Sequence, residues 1–209
     1  MTQEASEPQT VHVVDDDSAI RHAMCALLHA AGKHCVAYAT ADEFLDALPA
    51  TGGGCLLLDI NLPGTGGLEL QEELRRRDVL LPIIFVTGHG DVPIAVQAMR
   101  DGAFDFLQKP FDEERLLESL DAALAADAAM QEEHVMDAEA ARLYDSLTER
   151  EREVLDLVVT GKPNKVIAFD LGVSQRTVEI HRSRVMKKMR ARSLADLVKL
   201  HLRISPPAD

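Results

Sequence analysis

Asp15, Asp16 and Asp17 close the apolar run at residues 11–14, and Asp59 closes the run at 55–58. Thr87 and Gly88 end the run at 83–87, and Lys109, followed by Pro110, lies just past the run at 104–107. Carboxylates gathered at one point oppose each other's ionisation. If Asp15, Asp16 and Asp59 share a pocket, a hard divalent cation resolves that repulsion. Oxygen-only ligation with room for waters suits Mg²⁺, which accepts one or two protein carboxylates and leaves positions for phosphate oxygens. The chemistry is then phosphoryl transfer. A carboxylate, with Asp59 the central candidate, serves as nucleophile, while the metal, Lys109 and the Thr87 hydroxyl stabilise charge on the transferring group. Each residue also has an ordinary reading: Asp17 or Ser18 as a helix N-cap, Thr87 as a strand former, Lys109 as a loop lysine. Four strand ends bearing such groups together are harder to dismiss, because buried unpaired carboxylates are costly.

The elements that must position these groups alternate. Strand-like runs at 11–14, 35–38, 55–58, 83–87 and 104–107 are each followed by an amphipathic helix-length segment, at 18–31, 41–48, 67–77, 92–101 and 112 to about 133. Near-continuous apolar strands have both faces covered, and right-handed crossovers put helices on both sides. The expected fold class is α/β, a flavodoxin-like (βα)5 doubly wound parallel sheet. In such sheets the ligand site lies beyond the carboxyl ends of the strands, at the topological switch point, which is where Asp15, Asp16 and Asp59 fall.

With 209 residues the chain has room for one large or two small domains, and charge divides it. The formal net charge is −13, and residues 1–122 carry all of it, with 8 Lys+Arg against 21 Asp+Glu. Residues 161–203 hold 11 basic and 3 acidic residues. An acidic module therefore precedes a basic one. Cys25, Cys35 and Cys55 lack any CxxC pair and are expected to be reduced, mostly buried thiols. No apolar stretch reaches the roughly 20 residues of a membrane helix, and residues 1–10 are acidic and polar, unlike a secretory signal, so a cytoplasmic protein without membrane association is expected.

The segment 122–146 has no Pro or Gly, which suits either a continued helix or a tether. Thr148 with Glu151 forms a capping-box pattern opening a helix to about Thr160, and Gly161 stops it. Residues 164–171 form a second helix, Gly172, Val173 and Ser174 a turn, and 175–190 a third, which is the helix-turn-helix pattern. On the third helix Val178, Val185 and Met189 share one stripe, while Arg176, Ile180, Ser183, Arg184 and Lys187 share the opposite one. Seven basic residues against Glu179 between Arg176 and Arg192 suit a phosphate backbone. A last helix, 194–202, offers Leu194, Leu197, Val198 and Leu202 as part core and part dimer seam.

The motifs VHVVDDD, LLLDINLPG, IIFVTGHGDV and GAFDFLQKPF together resemble the receiver domain of two-component response regulators, over residues 9–125. That resemblance implies Asp59 as phosphoacceptor. Asp16, Asp59 and the backbone carbonyl of Asn61 become Mg²⁺ ligands, with Asp15 acting through a metal-bound water. Lys109 pairs with the phosphoryl group, Thr87 moves to bond it, and Phe106 turns inward as Thr87 shifts. Asn61 and His89 stand where such receivers tune phosphate lifetime. LTEREREVLDLVVTGKPNKVIAFDLGVSQRTVEIHRSRVMKKM resembles the LuxR-type helix-turn-helix, assigned to residues 146–205 beyond a helical linker at 126–145. The combination is similar to the FixJ group. It implies Glu179, Ile180 and Ser183 as base readers and Lys165, Arg176, Thr177, Arg184 and Lys187 as phosphate contacts, with Glu179 free to pair with Arg176 or Arg182 instead. The implied partners are a cognate histidine kinase, a phosphorylated homodimer, double-stranded promoter DNA with an approximate inverted repeat, and RNA polymerase. The protein would not be an enzyme beyond its own phosphorylation and dephosphorylation.

Two rival readings compete. Asp15 and Asp17 also scan as the nucleophile and acid of a haloacid dehalogenase-type phosphatase, but that scheme gives Asp59 no role and lacks an acidic pair after Lys109. A receiver acting as an unphosphorylated scaffold leaves the acid, Thr and Lys set unexplained.

Overall fold

The computed structural model describes residues 9–48, 53–88 and 92–204. Contacts divide the chain into two compact units, Met1–Gln131 and Glu132–Asp209.

In the first unit five strands, β1 (Thr10–Val14), β2 (His34–Tyr38), β3 (Gly54–Leu58), β4 (Ile83–Thr87) and β5 (Asp105–Gln108), form one parallel sheet in the order β2-β1-β3-β4-β5. Side-chain alternation sorts the sheet into two cores. Val11, Val13, Cys55, Leu57, Ile84, Val86 and Leu107 face α1 (Ser18–Ala30) and the first part of α5 (Glu113–Asp145), meeting Met24, Leu28, Leu116 and Leu120. Val14, Leu56, Leu58, Ile83 and Phe85 face α2 (Ala41–Asp46), α3 (Gly67–Arg76) and α4 (Val92–Arg100), meeting Phe44, Leu70, Leu74 and Ala98. β3 and β4 are buried at every position, which is why their sequences read as unbroken apolar runs. Each such Leu, Ile or Phe stabilises the fold by about 1.5–3 kcal/mol relative to exposure. The expected doubly wound fold is therefore present, and its reversal of winding lies between β1 and β3.

One expectation fails. Cys25 on α1 and Cys35 on β2 are joined as a disulfide with Cα atoms 5.6 Å apart, whereas Cys55 is the buried free thiol that was expected. The α1–β2 crossover is short and folds the helix back on the edge strand, so two cysteines ten residues apart face each other. Neither of them is fully buried.

α5 is one 33-residue helix, extending through the segment that lacks Pro and Gly. Leu116, Leu120, Ala123 and Leu124 pack in the first unit, and Leu143 and Tyr144 pack in the second. There they join α6 (Glu149–Val159), α7 (Asn164–Asp170), α8 (Gln175–Lys188) and α9 (Leu194–Ile204) around Val154, Leu155, Ile167, Val178, Val185, Met189 and Leu197. The capping box forms as the sequence suggests: Glu151 N–H donates to Thr148 Oγ1 at 3.3 Å, and Thr148 N–H donates to Glu151 Oε2 at 2.9 Å. Gly172 takes φ +65° in the turn between α7 and α8, a conformation that favours glycine, and Ser174 caps α8 by accepting from Thr177 N–H at 3.1 Å. No helix among the described residues is long and apolar enough to cross a membrane.

Candidate functional site

Asp15 follows β1, Asp59 follows β3, and the parallel pairing of Val14 with Leu58 sets the two carboxylates side by side. With Asp16 they form a cluster whose carboxylate oxygens lie within 4.8 Å of one another. Asp15 is buried, Asp59 half-buried and Asp16 exposed. Local hydrogen bonds fix two of the acids, Asp15 and Asp59. Asp17 N–H donates to Asp15 Oδ1 at 2.9 Å, and Asn61 N–H donates to Asp59 Oδ1 at 3.0 Å. Asp17 is itself the N-cap of α1, accepting from Ala19 N–H at 2.8 Å.

Lys109 completes the pocket. Its Nζ donates to Asp15 Oδ2 at 2.8 Å and to Asp59 Oδ2 at 3.1 Å, so one ammonium bridges two of the three carboxylates. Burial pulls this amine down, but the bonds and charges of Asp15 and Asp59 together outweigh it and hold its pKa above the ordinary lysine value. The lysine is charged throughout the neutral range. Lys109 N–H also donates to the Thr87 carbonyl at 2.8 Å, tying the ammonium's backbone to the end of β4. Thr87 is fully buried, and a Cβ at Gly88 would meet nothing within 4 Å, so the space beside Thr87 is open. Phe106, half-buried, pairs across the sheet with Phe85 and lies 6.5 Å from its ring. His89 lies outside the described residues.

The donor set fits a hard cation. It offers oxygen alone, and its oxygens, no more than 4.8 Å apart, stand close to the ~4.2 Å that two oxygens span across an octahedral Mg²⁺. Small side-chain shifts, or one carboxylate acting through water, close the difference.

Two supporting residues were missed in the sequence. Arg21, one turn into α1, donates from Nη1 to the Asp15 carbonyl at 2.6 Å, gripping the strand end that carries the acids. Gly67 begins α3 against the Asp59 backbone, where an added Cβ would sit 2.4 Å from the Asp59 carbonyl oxygen and 2.9 Å from Ile60 Cα. The signal for Gly67 was the glycine-rich stretch after Asp59, and its meaning depends on how α3 returns to β3. Gly67→Ala is expected to cost about 1–3 kcal/mol by overpacking and to weaken divalent-cation binding. Denaturant unfolding and calorimetric titration with Mg²⁺ check this, and unchanged values in both would show that the loop yields freely.

In the second unit α8 presents Arg176, Glu179, Ile180, Ser183, Arg184 and Lys187 to solvent, with Lys165 exposed on α7 and Thr177 half-buried. Val178, Val185 and Met189 are buried on the opposite face, as the helical stripe suggests. Glu179 accepts from Gln175 at 3.3 Å, and Arg182 donates to Asn164 Oδ1 at 2.9 Å. Neither ion pair weighed for Glu179 is found among the described residues. Arg182 instead ties α8 to the start of α7, a link that sequence spacing does not reveal.

A doubly wound sheet carrying an acid cluster, a bridging lysine and a strand-end threonine, followed by a helical unit with a basic exposed helix, defines a two-module regulator of the receiver and helix-turn-helix class. Residues 11–121 match the response regulator receiver domain family, and residues 145–201 match the bacterial regulatory proteins of the luxR family. The chain is 43% identical over 196 residues to the transcriptional regulatory protein FixJ of Azorhizobium caulinodans, covering 94% of this chain and 93% of that one. It is 45% identical over 197 residues to nodulation protein W of Bradyrhizobium diazoefficiens, covering 94% and 87%. Among solved structures, response regulator StyR superposes with a TM-score of 0.84 at 41% identity, covering 93% of this chain and 98% of that one. Full-length FixJ from B. japonicum gives 0.58 at 39% identity, covering 95% and 98%. The chain belongs to the FixJ-like transcriptional regulators, response regulators in which a receiver domain precedes a LuxR-type DNA-binding domain. That membership favours the receiver over the phosphohydrolase and gives the acidic cluster a family precedent for divalent-metal binding.

Proposed function

We propose that a partner histidine kinase phosphorylates Asp59 and that this switches DNA binding by the second domain. The observation that carries the reading is the single ammonium of Lys109 shared between Asp15 and Asp59. Asp16 and Asp59, with the Asn61 carbonyl, would hold Mg²⁺ directly and Asp15 through water, and the bound ion would neutralise charge on the transferring group. An Asp59 oxygen forms its bond to phosphorus as the bond to the donor's imidazole nitrogen breaks. The departing electron pair stays on the imidazole, which takes up a proton. Lys109 turns an N–H from the carboxylates onto the phosphoryl oxygens, Thr87 moves to donate its hydroxyl, and Phe106 follows into the space that Thr87 leaves. Asn61 and His89 stand where they can tune how long the phosphate survives. The chemistry is confined to the protein's own phosphorylation and dephosphorylation, without turnover of a substrate pool.

The consequence reaches the face formed by α4 and β5. Val92, Val96 and Met99 are exposed on α4, 73%, 44% and 45% respectively, apolar surface that a second phosphorylated copy would cover. The receiver, residues 9–125, and the DNA-binding domain, residues 146–205, are joined through the helical linker at 126–145. Pairing two receivers raises the effective concentration of two DNA-binding domains on an approximate inverted repeat. Glu179, Ile180 and Ser183 read bases, while Lys165, Arg176, Thr177, Arg184 and Lys187 hold phosphates. The setting is the cytoplasm, with promoter DNA and RNA polymerase as partners.

Incubation with Mg²⁺ and a small acyl phosphate tests this. The expected result is a single phosphoryl mass gain per chain, a shift to dimer and tighter DNA binding. Sustained phosphate release without a mass gain would restore the phosphohydrolase. Lys187→Ala is expected to weaken binding to all DNA sequences alike and to flatten the slope of log K against log salt by about one unit. An unchanged slope would remove Lys187 from the phosphate contacts.

A further inference from the structure

We infer that Cys25 and Cys35 form a reversible thiol–disulfide modification site that sets the rigidity of the acid pocket through α1, using a low-molecular-weight disulfide as oxidant. The pair joins two different elements at a Cα separation of 5.6 Å, inside the usual range for a disulfide, so it closes and opens without moving the backbone far. Both residues are only half-buried at the rim of the core that α1 covers, and Cys35 lies on β2, the edge strand, which places the pair near the surface. A disulfide in a reducing compartment is ordinarily transient and redox-sensing, and exposure favours exchange. Cys55 is a contrast within the same sheet. It is fully buried, and burial, aided by the Asp127 charge, pushes its thiol up to about 12, leaving it protonated and inert.

The connection to the acid pocket is a column on one face of α1. The N-cap Asp17, then Arg21 and Cys25 within the helix, follow one another at four-residue intervals. The Asp17 N–H holds Asp15 Oδ1, Arg21 holds the Asp15 carbonyl, and Cys25 locks the next turn to β2. With the disulfide closed, α1 is pinned at both ends of this column and the Asp15–Asp17 loop is held. With it open, only noncovalent packing holds the helix against the edge strand.

The redox step balances. A thiolate of the pair attacks one sulfur of the small disulfide and expels one thiolate. The second cysteine thiolate then attacks the mixed disulfide and expels the other. The protein's two thiols are oxidised by two electrons, and the small disulfide is reduced to two thiols that take up the two protons.

The inference about pocket function rests on the Asp59 reading, and the experiment separates the two. Full-length protein is equilibrated in glutathione buffers from fully reduced to fully oxidised, then followed by alkylation mass, by amide exchange over residues 15–25 and by phosphoryl uptake from an acyl phosphate. The expected result is reversible loss of two alkylatable thiols, Cys55 staying unmodified throughout, with exchange near Asp17 slowed by about 5-fold or more in the oxidised form, the lower end of ordinary coupling between sites. Cys25→Ser and Cys35→Ser should each abolish the redox response of that exchange. Failure of the thiols to pair in oxidised glutathione, or identical exchange in both forms, overturns the inference. If neither form takes up phosphoryl groups, the Asp59 reading falls, while the exchange data still decide the redox site.

Discussion

Asp59→Ala protein is expected to take up no phosphoryl group from an acyl phosphate in Mg²⁺, and to show none of the dimerisation that the donor induces in the unaltered chain, while keeping its fold. The neighbouring acids cannot replace it. Asp15 is buried, with Oδ1 bound by the Asp17 N–H and Oδ2 by Lys109, and Asp16 is not among the acids that Lys109 bridges. Two effects on stability oppose each other. The substitution removes a charged hydrogen bond to Lys109, worth about 1.5–3 kcal/mol, and it also relieves repulsion among three clustered carboxylates. Lys109 keeps its 2.8 Å bond to Asp15, so the ammonium is not stranded. The net change should stay within about 1 kcal/mol, against a complete loss of phosphoryl uptake. Intact mass, size measurement and denaturant unfolding on the same preparation check all three statements. Phosphoryl gain on another residue would move the acceptor, and donor-induced dimerisation without any mass gain would detach the dimer from the pocket.

What could be read in advance follows from how local each signal is. The strand-end positions of Asp15, Asp59 and Thr87 were legible because buried parallel strands leave unbroken apolar runs, and a run's end marks the rim of the sheet. β5 sits one residue later than its apolar run, at Asp105–Gln108, because Phe104 N–H already bonds the Ile83 carbonyl before the ladder becomes regular. The Thr148–Glu151 box was legible because both partners lie within one helical turn. Features that depend on how distant elements dock were not. Asp127, buried on α5, accepts from Gly54 N–H at 2.7 Å and Gln9 Nε2 at 3.1 Å, fastening that helix to the base of the sheet. In the sequence it is one more acid in an acidic helix. The Cys25–Cys35 pair needs the rotational phase of α1 against β2, and the grip of Arg21 on Asp15 needs the entry angle of the same helix. Neither quantity is fixed by spacing alone.

Lys188→Ala is expected to destabilise the second domain at neutral pH and to shrink the share of that domain's acid sensitivity that Glu151 carries. Lys188 Nζ donates to Glu151 Oε2 at 2.6 Å and to the Ser146 carbonyl at 2.9 Å, joining the end of α8 to the start of α6. Glu151 is only 3% exposed. Burial alone would raise its pKa, but the Lys188 bond, the two Thr148 bonds and the Lys188 charge outweigh that and bring it down from 4.5 to about 2. A carboxylate whose folded pKa is depressed stabilises the fold fully above its unfolded value. That contribution disappears as pH falls from about 4.5 through about 2, because protonation removes the charge that Lys188 and the Thr148 amide hold. Without Lys188 the folded and unfolded values draw together. Stability at pH 7 should drop by about 1–3 kcal/mol, the cost of leaving a covered carboxylate short of its charged partner. The gap between the two proteins should close as pH approaches 2. Amide exchange within α6 and α8, measured at pH 7 and again near pH 3, reads this domain separately from the receiver. Parallel pH dependence in both proteins would mean that the capping Thr148, and not the α6–α8 ion pair, holds Glu151 ionised. Because α8 also carries the exposed Arg176–Lys187 face, the same variant should lose DNA affinity wherever its helix frays, although Lys188 itself is not among the proposed DNA contacts.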